Sequence, residues 1–246
     1  MDLAAWIATF LSLALLSLPL IYHRLSTILN PDRPQPRRRR HEPIKVPRHL
    51  LIVLGSGGHT AEMIAMLRRA VNEEDSEVRL AWRDFPMRTW VISSGDSISA
   101  ERVGEFEGEV ADAQGGEGVG LWNVEVVPRA REIYQPLYTA PVSSLRCLGV
   151  CLGLLGKRGH PDLMLCNGPA TATILVFASV MLRFFNIGGC MTRGKMRTIY
   201  VESWARVKRL SLSGWLLCRV VDRFLVQWPT LEGKGKGRAE YVGVLV

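Results

Sequence analysis

From His49 onward the chain alternates short apolar runs with segments of helical length, and nothing else in it restricts the possible folds so much. HLLIVLG, RTWVISS, WNVEVVP, DLMLCNG, RTIYVES and DRFLVQW read as strands bounded by turn residues. Parallel neighbours need a crossover of a dozen or more residues, and helix-length segments lie between most of these runs. The pattern predicts an α/β class, a doubly wound parallel sheet with helices on both faces, over residues 48 to 246. Within it the Gly-rich stretch EFEGEVADAQGGEGVGLW, 105 to 122, reads as a loop, GKGKGRAE, 233 to 240, as a flexible turn, and YVGVLV as a last short strand.

The N-terminus has a different character. LAAWIATFLSLALLSLPLIY, Leu3 to Tyr22, contains no charge over 20 residues, enough for one transmembrane helix across about 30 Å of hydrocarbon. A cleaved signal peptide is the competing reading. Against it stand the Met-Asp start, the length and the want of a small-residue cleavage site. Residues 1 to 22 are therefore expected to be an anchor and 23 to 47 a basic, Pro-rich linker. Arg24 to Arg48 follow the span at once, so the positive-inside bias puts the body in the cytoplasm and the N-terminus in a lumen or outside. The tract RPQPRRRR suits contact with anionic headgroups. Two further apolar stretches are shorter: 143 to 156, either core or a surface resting on lipid, and Ala170 to Phe185, a buried crossover helix or a membrane-dipping one.

The net charge of +8 invites a nucleic-acid reading that its distribution excludes. Residues 23 to 50 hold eight Arg/Lys against Asp32 and Glu42, and the remainder is nearly neutral. The five cysteines, Cys147, Cys151, Cys166, Cys190 and Cys218, form no CxxC pair and have no histidine at metal spacing, so buried reduced thiols are expected and no metal or cofactor. No asparagine heads an N-x-Ser/Thr sequon, in keeping with a body in the cytosol.

Candidate chemistry gathers at strand ends. Gly55, Ser56, Gly57, Gly58, His59 and Thr60 follow a strand and open a helix, so backbone N–H groups and the helix dipole converge on an anion, phosphate above all. The loop lacks the Lys-Ser/Thr of a Walker A motif and has Thr60 where a dinucleotide fingerprint has its third glycine. His59 either contacts the ligand, as a candidate base, or merely caps the turn. Asn167, Gly168 and Pro169 make a second strand-to-helix turn. Glu202 and Ser203 end a further strand ahead of Arg206, Lys208 and Arg209; the carboxylate either binds sugar hydroxyls or pairs with these bases at the surface, and the bases suit phosphate.

GSGGHTAEM, PRAREIYQ, LCNGPATA, YVESWARVKRLSLSG and DRFLVQWP, in this order, resemble the membrane-anchor subunits of the UDP-N-acetylglucosamine transferase that adds the second sugar of the dolichol-linked oligosaccharide. That family is in turn similar to the acceptor-binding half of the bacterial lipid-linked GlcNAc transferase of peptidoglycan synthesis, a GT-B enzyme. The resemblance implies a Rossmann-like domain equivalent to the N-terminal half of a GT-B glycosyltransferase, preceded by one transmembrane helix, at the endoplasmic reticulum. It implies that Gly57, Gly58 and His59 receive the lipid diphosphate of dolichyl diphosphate-GlcNAc, and that Gly168, Pro169 and Glu202 line the cleft. It also implies a soluble partner subunit that binds UDP-GlcNAc, since two such halves need about 300 residues. A structural tether with a degenerate cleft is the alternative. The apolar end Tyr241, Val242, Gly243, Val244, Leu245 and Val246 is expected either to lie in the interface with that partner or to be a core strand.

Overall fold

A computed structural model describes residues 3–33 and 48–245, apart from Ser76, Val78, Gln114, 116–119, Ile133, Leu137, Arg158 and Pro169. The side chains of residues 3–5, 8–11, 13 and 14 are likewise outside the description. Seven strands form one sheet: β1 (His49–Val53), β2 (Met87–Ser93), β3 (Leu121–Val127), β4 (Leu163–Asn167), β5 (Arg197–Val201), β6 (Arg223–Val226) and β7 (Ala239–Tyr241). Their order is β3-β2-β1-β4-β5-β6-β7, and every pairing is parallel. The chain winds outward from β1 to β3, crosses back to place β4 beside β1, and winds outward again. This is the doubly wound α/β arrangement expected, and it leaves its switch point between β1 and β4.

Side-chain alternation along the central strand sorts the core into two layers. Leu50 and Ile52 join a cluster with Trp90 of β2, with Met63, Ile64 and Leu67 of α2 (Gly58–Val71), and with Val103, Phe106 and Val110 of α3 (Ser97–Ala113). Leu51 and Val53 point the other way. They meet α4 (Ala140–Lys157), α5 (Thr171–Phe184) and α6 (Leu212–Leu217) through Cys147, Leu175 and Leu217. All five cysteines are buried free thiols. Residues 171–184 are the buried crossover helix, with Ala172, Leu175, Val176 and Ala178 shielded from solvent.

Three expectations change. Residues 105 to 113 belong to α3 and 121 to 122 to β3, so the proposed Gly-rich loop is mostly regular structure. Its helical stripe, Val103, Phe106, Glu107 and Val110, is disguised by a charged member. Glu107 is buried because Arg88 donates to it from Nε and Nη2 at 2.9 and 2.7 Å, Trp90 at 2.8 Å and Trp82 at 3.3 Å. The last strand starts two residues early, at Ala239, and ends at Tyr241; Val242 and Leu245 bond individually to Val226 and Gln227 at the end of β6. The GKGKG segment contains a short kinked helical turn at Lys234–Gly237.

The N-terminal helix α1 (Leu3–Ile28) continues six residues beyond the expected junction at Tyr22. Among the described residues no helix is long and apolar enough to cross a membrane. The foot of α1 is built into the body: Arg24 donates to the carbonyls of Arg183 and Phe184, both at 2.9 Å, and Arg33 pairs with Asp222 at 3.0 Å. The remaining linker, 34–47, lies outside the described residues.

Candidate functional site

The carboxyl ends of β1 and β4 form the crevice at the switch point, where open α/β sheets bind their ligands. Two helices start there, and neither has a side-chain cap: α2 begins after Gly57 and α5 after Ala170. Their first N–H groups therefore face the crevice without a side-chain acceptor. The two turns touch. A Cβ on Gly55 would lie 2.9 Å from the Gly168 Cα, and one on Gly168, where φ is +91°, 2.7 Å from the Gly55 Cα. Gly57 holds φ 64° and ψ −119°, a conformation that only glycine adopts without strain, whereas Gly58 has ordinary φ and open space where a side chain would go.

Ser56, Gly57 and Gly58 are exposed on the rim, and His59 sits half-buried behind them. His59 Nδ1 is 3.6 Å from the Glu62 carboxylate, ion-pair distance but too long for a hydrogen bond. Glu62, unremarked in the sequence although it lies inside the GSGGHTAEM motif, joins the three turns. It accepts from Ser203 Oγ at 2.8 Å and from Asn167 Nδ2 at 3.3 Å. Burial pushes its carboxyl up, but contact with His59 and hydrogen bonds from Ser203 and Asn167 outweigh that and hold it below the usual carboxylate range. Glu62 is thus ionised at neutral pH. Two buried polar atoms beside it, His59 Nδ1 and Asn167 Oδ1, have no hydrogen-bond partner among the described residues. Buried polar atoms are seldom left so unless water or a ligand completes them.

Other predicted residues brace the site. Thr60 is turned into the core, where its hydroxyl meets the Gly55 carbonyl and Ser99 Oγ. Glu202 is only 1 % exposed, and its carboxylate accepts from Ser203 N, Ser211 N and Ser211 Oγ. Burial raises its pKa above the ordinary value against the pull of those bonds. It holds the 202–211 loop and makes room for itself against Gly214, where any Cβ would run into the carboxylate. Arg206, Lys208 and Arg209 are exposed on that loop. Tyr200 donates from below to the Gly168 carbonyl at 3.1 Å. Pro169 and Val246 lie outside the described residues. Tyr241, Val242 and Val244 are 38–40 % exposed; Tyr241 ends the edge strand β7, and the residues after it turn back across the end of β6. Val244 is tied through its carbonyl to Arg69, and Leu245 through its N–H to Gln227.

The family described as "Oligosaccharide biosynthesis protein Alg14 like" matches residues 50–245. Its curated relatives include a protein of Aspergillus fumigatus named UDP-N-acetylglucosamine transferase subunit alg14, 37 % identical over 235 residues that cover 75 % of this chain and 100 % of the relative. Proteins of the same name from Yarrowia lipolytica and Homo sapiens are 40 % and 32 % identical, each alignment covering 80 % of this chain and 81 % and 82 % of the relative. The motifs that shape the crevice fall within the matched span, and the chain belongs to the Alg14 family.

Proposed function

We propose that this chain is the membrane-anchoring, acceptor-binding subunit of a UDP-N-acetylglucosamine transferase, and that it recruits a separate catalytic subunit that binds UDP-GlcNAc. The acceptor is dolichyl diphosphate-GlcNAc, presented at the cytosolic face of the endoplasmic reticulum membrane; the uncharged stretch 3–22, some of whose side chains lie outside the description, crosses that membrane once with its N-terminus in the lumen. One observation carries the acceptor role. Two uncapped helix N-termini and two orphaned buried polar atoms surround a glycine turn with open space above it, which suits a diphosphate and the sugar attached to it. The names of the relatives support the subunit role.

In this reading the diphosphate lies against the backbone of Gly57 and Gly58 and the N-terminus of α5. The ionised Glu62 keeps a proton on His59 Nδ1, which leaves Nε2 free to accept one. The acceptor hydroxyl gives its proton to Nε2, its oxygen attacks the anomeric carbon of the donor sugar, and UDP departs, with inversion and a β1,4 link. Glu202 then keeps Ser203 in reach of Glu62 and does not enter the chemistry. The relatives are named as subunits of a transferase, which supports a donor site carried by a partner. The exposed apolar residues Tyr241, Val242 and Val244, beside an edge strand with one neighbour, are its docking point.

Transfer by the reconstituted two-subunit complex, with His59→Ala in this chain, tests the reading. A loss of kcat with the partner still bound is expected. Undiminished transfer leaves only the tether.

A further inference from the structure

At the opposite end of the sheet, beneath the amino ends of β4, β5 and β6, a cavity of about 840 Å³ is lined by Pro31, Arg193, Arg197, Thr198, Asp222 and Arg223, among others. Asp222 on its wall is shared by three guanidinium groups, Arg33 at 3.0 Å, Arg183 at 3.5 Å and Arg197 at 3.5 Å; Arg197 lines the cavity, and Arg33 and Arg183 do not. It is further shared with neutral donors, since Thr198 bonds it through N and Oγ1 at 2.8 and 3.0 Å. Arg183 is wholly buried and Arg33 is 5 % exposed. Arg33 Nε, Arg197 Nε and all three guanidinium nitrogens of Arg183 have no hydrogen-bond acceptor among the described residues. Burial and the adjacent Arg183 charge pull the Arg33 pKa down to about 10.

Water alone does not balance this site. It would accept from the five nitrogens, but the cluster would keep two positive charges in excess of its carboxylate, and buried charge without a counter-ion is strongly unfavourable. An anion with several acceptor oxygens meets both demands, and planar guanidinium forks match tetrahedral oxyanions. On the cavity wall Arg193 adds a further base, whereas Arg223 is paired with Glu240 and Lys195 with Asp162. The site also lies at the foot of α1. Arg33 Nη1 holds the Ile28 carbonyl at 2.7 Å, and Arg197 holds the carbonyls of Pro31 and Arg33. Exposed Phe185 and Ile187 follow directly on α5.

We infer that the guanidinium cluster around Asp222, reached from the cavity past Arg197, binds a phosphoryl oxyanion through Arg33, Arg183 and Arg197, and that this anion locks the foot of the N-terminal helix to the sheet. The site is separate from the β1/β4 crevice and does not rest on the transferase reading. The phosphoryl group belongs either to an anionic phospholipid headgroup or to a soluble phosphate, and the experiment distinguishes them.

The full chain in nonionic detergent is unfolded thermally in inorganic phosphate and in chloride of matched ionic strength, then in nanodiscs of phosphatidylcholine with and without phosphatidylinositol. A saturable rise in Tm with phosphate, with phosphatidylinositol or with both is expected, because a ligand bound only to the folded state stabilises it. Response to phosphate identifies a soluble anion, and response to the lipid alone a headgroup. Arg183→Met abolishes the rise; should that variant not fold, Arg197→Gln at the cavity wall weakens it. Asp222→Asn, which removes the competing carboxylate, is less stable in chloride and gains more from the anion than the parent does. Equal Tm in all media overturns the inference. So does a phosphate effect that survives Arg183→Met and disappears in Gly58→Val, because the anion then sits in the crevice.

Discussion

Three glycines of the crevice make a quantitative test because they are glycine for different physical reasons. Gly168→Ala meets two penalties at once: φ of +91°, which L side chains rarely adopt, and a Cβ 2.7 Å from Gly55 Cα and 3.2 Å from Gly55 N. Both obstacles are backbone, so no side chain can swing aside. Strain and forced separation of the turns together cost about 3 kcal/mol, which for a domain of this size lowers Tm by about 6–12 °C. Gly57→Ala meets only the backbone penalty, since nothing lies within 4 Å of its Cβ, and costs about 1–2 kcal/mol. Gly58→Ala meets neither. Its φ is ordinary and its Cβ falls in open space at the start of α2, so reduced freedom of the unfolded chain stabilises the protein by about 0.4–1 kcal/mol. The assay is thermal unfolding of the full chain in detergent at one scan rate. The order from most to least stable must be Gly58→Ala, parent, Gly57→Ala, Gly168→Ala. A destabilised Gly58→Ala, or a neutral Gly168→Ala, refutes the argument from geometry. In the two-subunit complex Gly58→Val then raises the acceptor KM while the fold and the partner are retained.

Glu62→Gln removes the charge that faces His59, and kcat of the complex falls about 10²-fold, within the range for general-base catalysis, with little change in KM. The depressed pKa of Glu62 means that its contribution to stability is present above its unfolded value of about 4.5 and is lost as the pH falls through the lower folded value. Unfolding of the Glu62→Gln protein is accordingly less sensitive to acid, and an identical acid limb would count against the ionised carboxylate. Deletion of residues 1–22 releases the body from carbonate-washed membranes; retention after the wash would point to a second embedded surface on α4 or α5. Deletion of Leu245 and Val246 removes one described hydrogen bond, Leu245 N to Gln227, so the domain stays folded while partner recovery and transfer fall together. Full partner recovery would move the interface elsewhere.

Six of the seven strands coincide with apolar runs visible in the sequence because each is short and bounded by turn residues; β1, β2, β4 and β5 are largely buried on both faces, as inner parallel strands are, whereas the edge strand β3 is mostly exposed. Periodicity failed where a polar group is buried by pairing. The inward stripe of α3 passes through Glu107, whose partners Arg88, Trp82 and Trp90 come from a different strand and turn, while Gly108 faces solvent and gives the segment the composition of a loop. In the same way the Arg33–Asp222 pair spans 189 residues, and only the placement of β5 and β6 beside β4 brings Arg183, Arg197 and Asp222 to the foot of α1.

The crevice divides along the same line. Its glycines and His59 are legible because a strand-to-helix turn is a local structure with local demands on φ and on space. Glu62 and Glu202 are less legible because the direction of a carboxylate is set by partners from other elements. Glu62 sits one turn into a helix, where a surface role is the default, and becomes the hub of the crevice only because β4 and β5 deliver Asn167 and Ser203 to it. Glu202 ends a strand at the crevice, where a ligand contact is the natural reading. Ser211 offers it two donors, nine residues later, and Gly214 leaves the room to take them. With both oxygens so engaged and desolvation opposing its charge, Glu202 secures the loop that carries Ser203, and the acidic group left facing His59 is Glu62.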